Sequence, residues 1–457
     1  MQYKNLLIIY PHWHPANLAG VHRPRLTGNF LKDFGWKPIV LTVDDKYYEE
    51  TPDRDFEKTF SKDFEVYRVN AYKITKPRII GDIGLRAFFQ LKRKALELIP
   101  KLKIDFIWIP IPSFYTSLLG LALYKKTGIP YGIDYIDPWV RDISKNPDLR
   151  ARLSIWVAKK LEPKAVKNAS LITGVSYEYF KPMLSRNFRL CEEQSNEATS
   201  VFARGEATKQ TVQTQTNANQ PTKGRPLTAS FPYGFDPHDH EIVLENLQMP
   251  WQHVPHCKPI VYAGAFLPNC GYFTQILFKT IKTIKDKGLL PPHIHFYFIG
   301  TGHYKHKSVL EYAKENQVED IVTEIRDRYP FLQILNIISA AYRILVLGTT
   351  EKHYTASKIF QSILSKRPVM AIFHHESSVN NILNETKADQ YLVKYTPGMN
   401  ETELEKQVEK TFIEYLKEDT PWHPDYMALD KYSAREGAKI LAEKMEEIVS
   451  AKTKAPK

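Results

Sequence analysis

The feature that most constrains this chain is an alternation. Short runs that are apolar on both faces are each followed by a segment of helical period. "NLLIIY" (5–10) leads into a helical stretch near 21–34 and then "PIVLTV" (38–43). "DFIWIPI" (105–111), a helix near 114–126, "YGIDYI" (131–136) and "SLITGVS" (170–176) continue it. A strand apolar on both faces must be covered on both, and intervening helices supply that cover in a parallel sheet. The first half therefore reads as an α/β doubly wound domain. Between about 186 and 225 the pattern stops: Gln, Thr, Asn and Ser replace large apolar groups. Such a stretch cannot offset its own ordering entropy, and it reads as a mobile insertion.

The alternation then resumes. "PIVYAGAF" (259–266), a helix over 272–285, "HIHFYFIG" (293–300), "IVTEI" (321–325), "RILVLGT" (343–349) and "RPVMAIF" (367–373) form a second doubly wound domain. A last helix follows, with Ile440, Leu441, Met445 and Ile448 at helical spacing. A length of 457 residues suits two larger domains plus extras, and 43% hydrophobic with 25% charged residues is a globular composition. No apolar stretch approaches the roughly 20 residues that span a bilayer, and the N-terminal residues carry neither a secretory signal nor an anchor. Cys191, Cys257 and Cys270 match neither a disulfide framework nor a zinc site, which points to a reducing cytoplasm. A formal charge of +12 favours phosphate-bearing partners: nucleotides, anionic lipids or nucleic acid. No nucleic-acid motif supports the last.

In open parallel sheets, ligands bind beyond the carboxyl ends of the strands. In the second domain the loops there are "YAGAFLPNCG", "IGTGHYK", "EIRDRYPF" and "LGTTEKHYTASK". They offer Gly264, Gly300 and Gly302 for close backbone approach, with Arg326, Arg328 and Lys358 for charge; a nucleoside diphosphate fits that collection. The stretch "SKIFQSILSKRPVMAIF" (357–373) reads as a short amphipathic helix beginning near Ser357 and Lys358, broken by Pro368, then a buried strand. A helix start favours an anion.

In the first domain "HWHPANLAGVHRPR" gathers His12, His14, Gly20, His22, Arg23 and Arg25 between strand and helix. They either hold a phosphate of donor or acceptor, or are packing histidines and helix-face arginines. No carboxylate or cysteine stands nearby to complete a metal set, so no metal is expected. Asp137, in "YIDPWVRD", is either an Asp-Pro turn or a carboxylate that orients acceptor or sugar. Trp139 either packs or stacks on a sugar.

The ordered series "HPANLAGVHRPRLTGNFLKDFGWKPIVLT", "IPYGIDYIDPW", "ASLITGVSYEYF", "SFPYGFDP", "IVYAGAF", "FYFIGTG" and "SKIFQSILSKRPVMAI" resembles bacterial glycosyltransferases of the GT-B fold, in the retaining group that builds many surface polysaccharides. The resemblance implies two Rossmann-like domains facing a cleft, with the final helix crossing back to the first. The domains would be 1–240 for the acceptor, 241–418 for the nucleotide-sugar and 419–457 for the helical segment. It implies that Lys358, with Arg328 or Arg23, stabilises the departing phosphate, that Ser357 lies near the diphosphate and that Asp137 serves the acceptor. It also implies that Gln361 sits near the ribose, where the family has a glutamate. Glu351 would stand in for an acid missing at His353. The loop after "YAG" lacks the family's Arg and Lys, and Ile136 occupies the place of a basic residue.

The resemblance further implies no cofactor, no obligatory metal and transfer with retention. The substrate would be a nucleotide-sugar and the acceptor a saccharide or lipid-linked sugar. The protein would be cytoplasmic, or peripheral at the inner face of the cell membrane, where the basic segment 73–103 meets anionic lipid. The rival readings are a sugar-nucleotide epimerase or hydrolase of the same fold and a degenerate scaffold that binds nucleotide or glycan.

Overall fold

The computed structural model describes residues 3–74, 81–140, 149–188, 225–351, 358–418 and 420–454. Most of the polar insertion, Ser357, His353 and Cys191 lie outside the described residues. The chain divides into two units, Met1–Gly234 with Tyr432–Lys457, and Phe235–Lys431. The first division thus falls a few residues before the boundary read from the sequence, and the chain returns to the first unit only at Tyr432.

The first unit has a seven-stranded sheet in the order β3-β2-β1-β4-β5-β6-β7. Its strands are β1 (Lys4–Ile9), β2 (Trp36–Val43), β3 (Glu65–Val69), β4 (Ile104–Ile111), β5 (Tyr131–Tyr135), β6 (Leu171–Gly174) and β7 (Leu227–Ser230). All pair in parallel. The helices are α1 (Ala19–Phe30), α2 (Ile83–Arg86), α3 (Phe88–Lys101), α4 (Leu118–Thr127), α5 (Leu149–Val166) and α6 (Tyr177–Asn187). Leu7, Ile9, Leu41, Ile107 and Ile133 are sealed in the core, as the double-faced runs require.

In α3 the buried side chains are Leu91, Ala95, Leu98 and Ile99. The apolar side of α3 is therefore packed on the core, and only Phe89 of that helix remains a large exposed hydrophobic. Its lysines and arginine form the solvated face.

The second unit has a six-stranded sheet in the order β10-β9-β8-β11-β12-β13. It comprises β8 (Lys258–Ala263), β9 (Ile294–Ile299), β10 (Val322–Ile325), β11 (Arg343–Leu347), β12 (Val369–His374) and β13 (Tyr391–Tyr395), all paired in parallel. Its helices are α7 (Gly271–Asp286), α8 (Val309–Glu315), α9 (Phe331–Ala340), α10 (Lys358–Leu364), α11 (Ser378–Glu385) and α12 (Glu401–Leu416). The last helix, α13 (Ala434–Lys454), belongs to the first unit, where Arg435 pairs with Asp33 at 3.1 Å and Lys4 with Glu446. Among the described residues no helix is long and apolar enough to cross a membrane.

Candidate functional site

Parallel order in the second sheet brings the loops after β8, β9, β10, β11 and β12 to one edge. At its centre is Lys358, the first residue of α10. Its stem keeps some surface, but the ammonium nitrogen is sealed from solvent and has no hydrogen-bond partner among the described residues. The nitrogen lies 3.8 Å from the centroid of the Tyr262 ring, at the end of β8. Burial pushes the Lys358 pKa down from 10.5 to about 8, against a smaller opposing effect of Cys270. Gly264 follows β8 with φ +131, a conformation that L side chains rarely adopt, and a Cβ placed there would meet Lys358 Nζ at 3.5 Å. That is ordinary contact distance, so what this position requires of glycine is its backbone conformation.

The other glycines do something different from what the sequence suggested. Gly264 N–H donates to Ile299 at 2.8 Å, Gly300 N–H to Ile325 at 2.7 Å and Gly302 N–H to Arg326 at 2.9 Å. All three amides are committed to the neighbouring loop or strand, so the glycines shape the edge without supplying donors. Arg326 donates back to the Gly302 carbonyl at 3.0 Å, and Arg328 stands exposed in the loop after β10. α10 is described over seven residues, Lys358–Leu364, and the residues before it lie outside the described ones. Of the cations on this edge, Lys358 is the one whose charged group is sealed from solvent.

Glu351, exposed after β11, accepts from Asn269 at 2.6 Å, which ties the β11 loop to the one after β8. Gln361 lies one turn into α10, with its carbonyl 2.6 Å from His240 Nε2. His240 Nδ1 lies 3.3 Å from the Ser339 hydroxyl. Burial holds the His240 pKa below 6.5, with the Gln361 bond opposing and Lys366 assisting. The neutral tautomer that serves both contacts carries its proton on Nε2, donating to Gln361 and accepting from Ser339. Sequence reading missed His240, which lies three residues beyond the quoted "SFPYGFDP"; one histidine among polar residues gives no signal of its partner. A cavity of about 490 Å³ beside it is lined by Ser339, Leu364, Lys366 and Arg367, towards the opposite end of α10 from Lys358.

His374, His375 and Glu376, after β12, bring three ligand atoms within 4.8 Å of one another. His374 Nδ1, however, accepts the Glu376 backbone N–H at 3.1 Å. That places the ring proton of the neutral histidine on Nε2, the nitrogen a metal would need. Cys257 and Cys270 are free thiols, and burial raises both pKa values.

In the first unit the arginines are not where a phosphate could reach them. Arg23 is fully buried: its guanidinium meets Asp134 through Nε at 3.0 Å and Nη2 at 3.1 Å, and donates to the Phe231 and Pro232 carbonyls. Arg25 is also fully buried, donates to Thr59 at 3.1 Å and lies over the Phe56 ring. Gly20 is buried against Tyr10, whose hydroxyl a Cβ there would meet at 1.7 Å. These three residues are a packing device, and the phosphate reading of Gly20, Arg23 and Arg25 is corrected accordingly. A buried pair needs close partners to offset its desolvation, which is what Asp134 and the two carbonyls provide.

His14 packs edge-on to Phe60, and burial lowers its pKa, with Arg68 assisting. Asp137 is half-buried just beyond β5, and its charge adds to the burial that raises the hydroxyl pKa values of Tyr179 and Tyr233. Trp139 is buried and stacks on Phe114 at 5.7 Å with an interplanar angle of 6°, so it is packing.

No family model matches the chain, and no curated protein matches it either. Solved structures do. An Anabaena HepE protein in complex with UDP and glucose is similar over 99% of this chain and 100% of its own, at 13% identity and TM-score 0.51. Sucrose-phosphate synthase from Thermosynechococcus elongatus is similar over 98% and 97%, at 13% and 0.51. A Listeria monocytogenes protein assigned as a UDP-N-acetylglucosamine 2-epimerase is similar over 98% and 97%, at 12% and 0.50. At such identities the likeness speaks to architecture, and with the two parallel sheets it gives this chain the GT-B fold of two Rossmann-like domains.

Proposed function

We propose that the chain is a nucleotide-sugar glycosyltransferase that uses the second unit for its donor and the first for a saccharide or lipid-linked acceptor. The observation that carries this is Lys358: a cation held dry, with no hydrogen-bond partner among the described residues, at the carboxyl edge of a Rossmann-like sheet. An ammonium without a counter-ion is unfavourable in that place unless a ligand supplies the charge. A diphosphate does so, and a HepE neighbour of the same fold was solved with UDP.

In transfer, the bond from the anomeric carbon to the diphosphate oxygen breaks and its electrons stay on the diphosphate. The acceptor oxygen bonds to the carbon, and its proton passes to the leaving phosphate, which gives retention without an obligatory metal. Lys358 stabilises the growing negative charge, with Arg328 as the second cation and Ser357 beside the diphosphate; Asp137 orients the acceptor. Gly264, Gly300 and Gly302 shape the edge, Gln361 and Glu351 border the ribose and sugar, and His14 lines the acceptor side. The role we assign is surface polysaccharide synthesis in the cytoplasm, peripheral to the inner membrane face.

Lys358→Ala should lower sugar transfer by about a hundredfold or more while circular dichroism shows a folded chain. Unchanged transfer refutes the assignment. An epimerase reading is favoured by the Listeria neighbour, and a binding scaffold by the closed His240–Gln361 pair. Product analysis separates them: free or epimerised sugar marks the first, and nucleotide-sugar binding without turnover the second.

A further inference from the structure

One surface of the first unit is built unlike the rest. On α5 the largest exposed apolar side chains are Leu149, Leu153 and Trp156, at 81%, 60% and 60% of full exposure. Their spacing of i, i+4 and i+7 puts them on one stripe of the helix. The same stripe continues one turn further with Lys160 and then Lys164 and Lys167, all exposed. Arg150, Arg152 and Lys159 are exposed beside it. None of Arg150, Arg152, Lys159, Lys160 or Lys164 has a carboxylate within 4.0 Å among the described residues. The helix has one acid, Glu162, which is buried and held by Arg186 at 2.8 Å. The opposite side, with Ala158, Ala165 and Val166, packs on the core.

We infer that this face of α5 docks on an anionic lipid surface. Leu149, Leu153 and Trp156 enter the boundary between headgroups and acyl chains, and the basic residues behind and beside them meet the headgroups. A protein partner would equally cover the leucines and tryptophan. The row of cations, with no exposed acid among the described residues of α5, selects a surface that is anionic throughout, which a charged bilayer is. Tryptophan at the tip suits the interface, where its ring has both an apolar body and a polar N–H. This deepens the membrane-peripheral reading and rests on it; it does not depend on sugar transfer.

The test is flotation of the full chain with vesicles of phosphatidylcholine alone or mixed with phosphatidylglycerol, at low and high salt. Trp156 is also a probe. Trp13, Trp36, Trp108, Trp139 and Trp422 are all at most 9% exposed, and Trp251 is half-buried against Tyr297 in the second unit, so with Trp251→Phe as the background brominated lipid should quench mainly the fluorescence of Trp156. The expected result is flotation with the anionic vesicles only, lost in high salt, together with quenching. Leu149→Ser/Leu153→Ser/Trp156→Ser and, separately, Lys159→Glu/Lys160→Glu should each weaken binding at least tenfold without changing the melting temperature, since these side chains are exposed. Absence of flotation at low salt overturns the membrane reading and this surface together. Flotation that survives in both variants overturns the surface alone. A dimer in light scattering that the serine variant converts to monomer, with flotation unchanged, assigns the stripe to a second copy and likewise overturns it.

Discussion

If Lys358 is held dry for a ligand that brings negative charge, the ligand-free protein should be more stable without it. A pKa moved from 10.5 to about 8 corresponds to a penalty of up to about 3.5 kcal/mol on the charged form, at about 1.4 kcal/mol per pKa unit. Lys358→Met keeps the length of the stem and removes the charge, so at pH 7 it should stabilise the second unit by about 1–3 kcal/mol. For a domain of this size that is a rise of roughly 2–10 °C in melting temperature.

The sign with pH is fixed. The unfolded lysine titrates near 10.5 and the folded one near 8, so between those values the unfolded chain holds the extra proton and wild-type stability rises with pH. The gap between variant and wild type should therefore be full below pH 8 and should close towards pH 10.5. Scanning calorimetry across that range measures it. A saturating nucleoside diphosphate should reverse the order, raising the wild-type transition and leaving the methionine variant unmoved. A variant less stable than wild type at pH 7, or a gap independent of pH, would refute the reasoning.

Two other substitutions separate structural from functional roles. Arg23→Met strands the buried Asp134 carboxylate and should destabilise the first unit by about 3–5 kcal/mol, a fall of roughly 6–20 °C; an inactive variant with an unchanged melting temperature would instead make Arg23 a substrate ligand. Gln361→Glu sets a carboxylate 2.6 Å from His240 Nε2 and should raise the His240 pKa above 6.5, as read by NMR titration. The stabilisation from that ion pair should be full below the unfolded imidazole pKa and vanish as pH rises through the raised one. A His240 pKa that stays low would show that the pair does not exist in solution.

The two sheets were legible because their inner strands are covered on both faces, and β1, β2, β4, β5, β8, β9, β11 and β12 all read as apolar runs. Three edge strands were not. In β3 every residue is half-buried, β7 has four residues, and β13 alternates buried with more exposed positions. An edge strand has a neighbour on one side only and carries a weaker apolar signal. Lys358 was legible as a strand-edge cation, but its burial was not, because that depends on Tyr262 and Cys270 almost a hundred residues earlier. Arg23 misled for the same reason. Between a strand and a helix an arginine looks available, and only the fold brings Asp134 beneath it. The sequence drew attention to the basic and apolar segment 73–103, and in it the apolar side chains Leu91, Ala95, Leu98 and Ile99 of α3 are taken by the core. The stripe on α5 is weaker in sequence and stands out only once its other face is known to be covered.

The most direct test is a turnover assay with a panel of nucleotide-sugars, each labelled in the sugar, with and without saccharide and lipid-linked acceptors. Label appearing in an acceptor, in step with release of the nucleoside diphosphate and lost in Lys358→Ala, is the expected result. Nucleotide-sugars that remain intact across the whole panel, or label recovered only as an epimer or free sugar, would contradict glycosyl transfer.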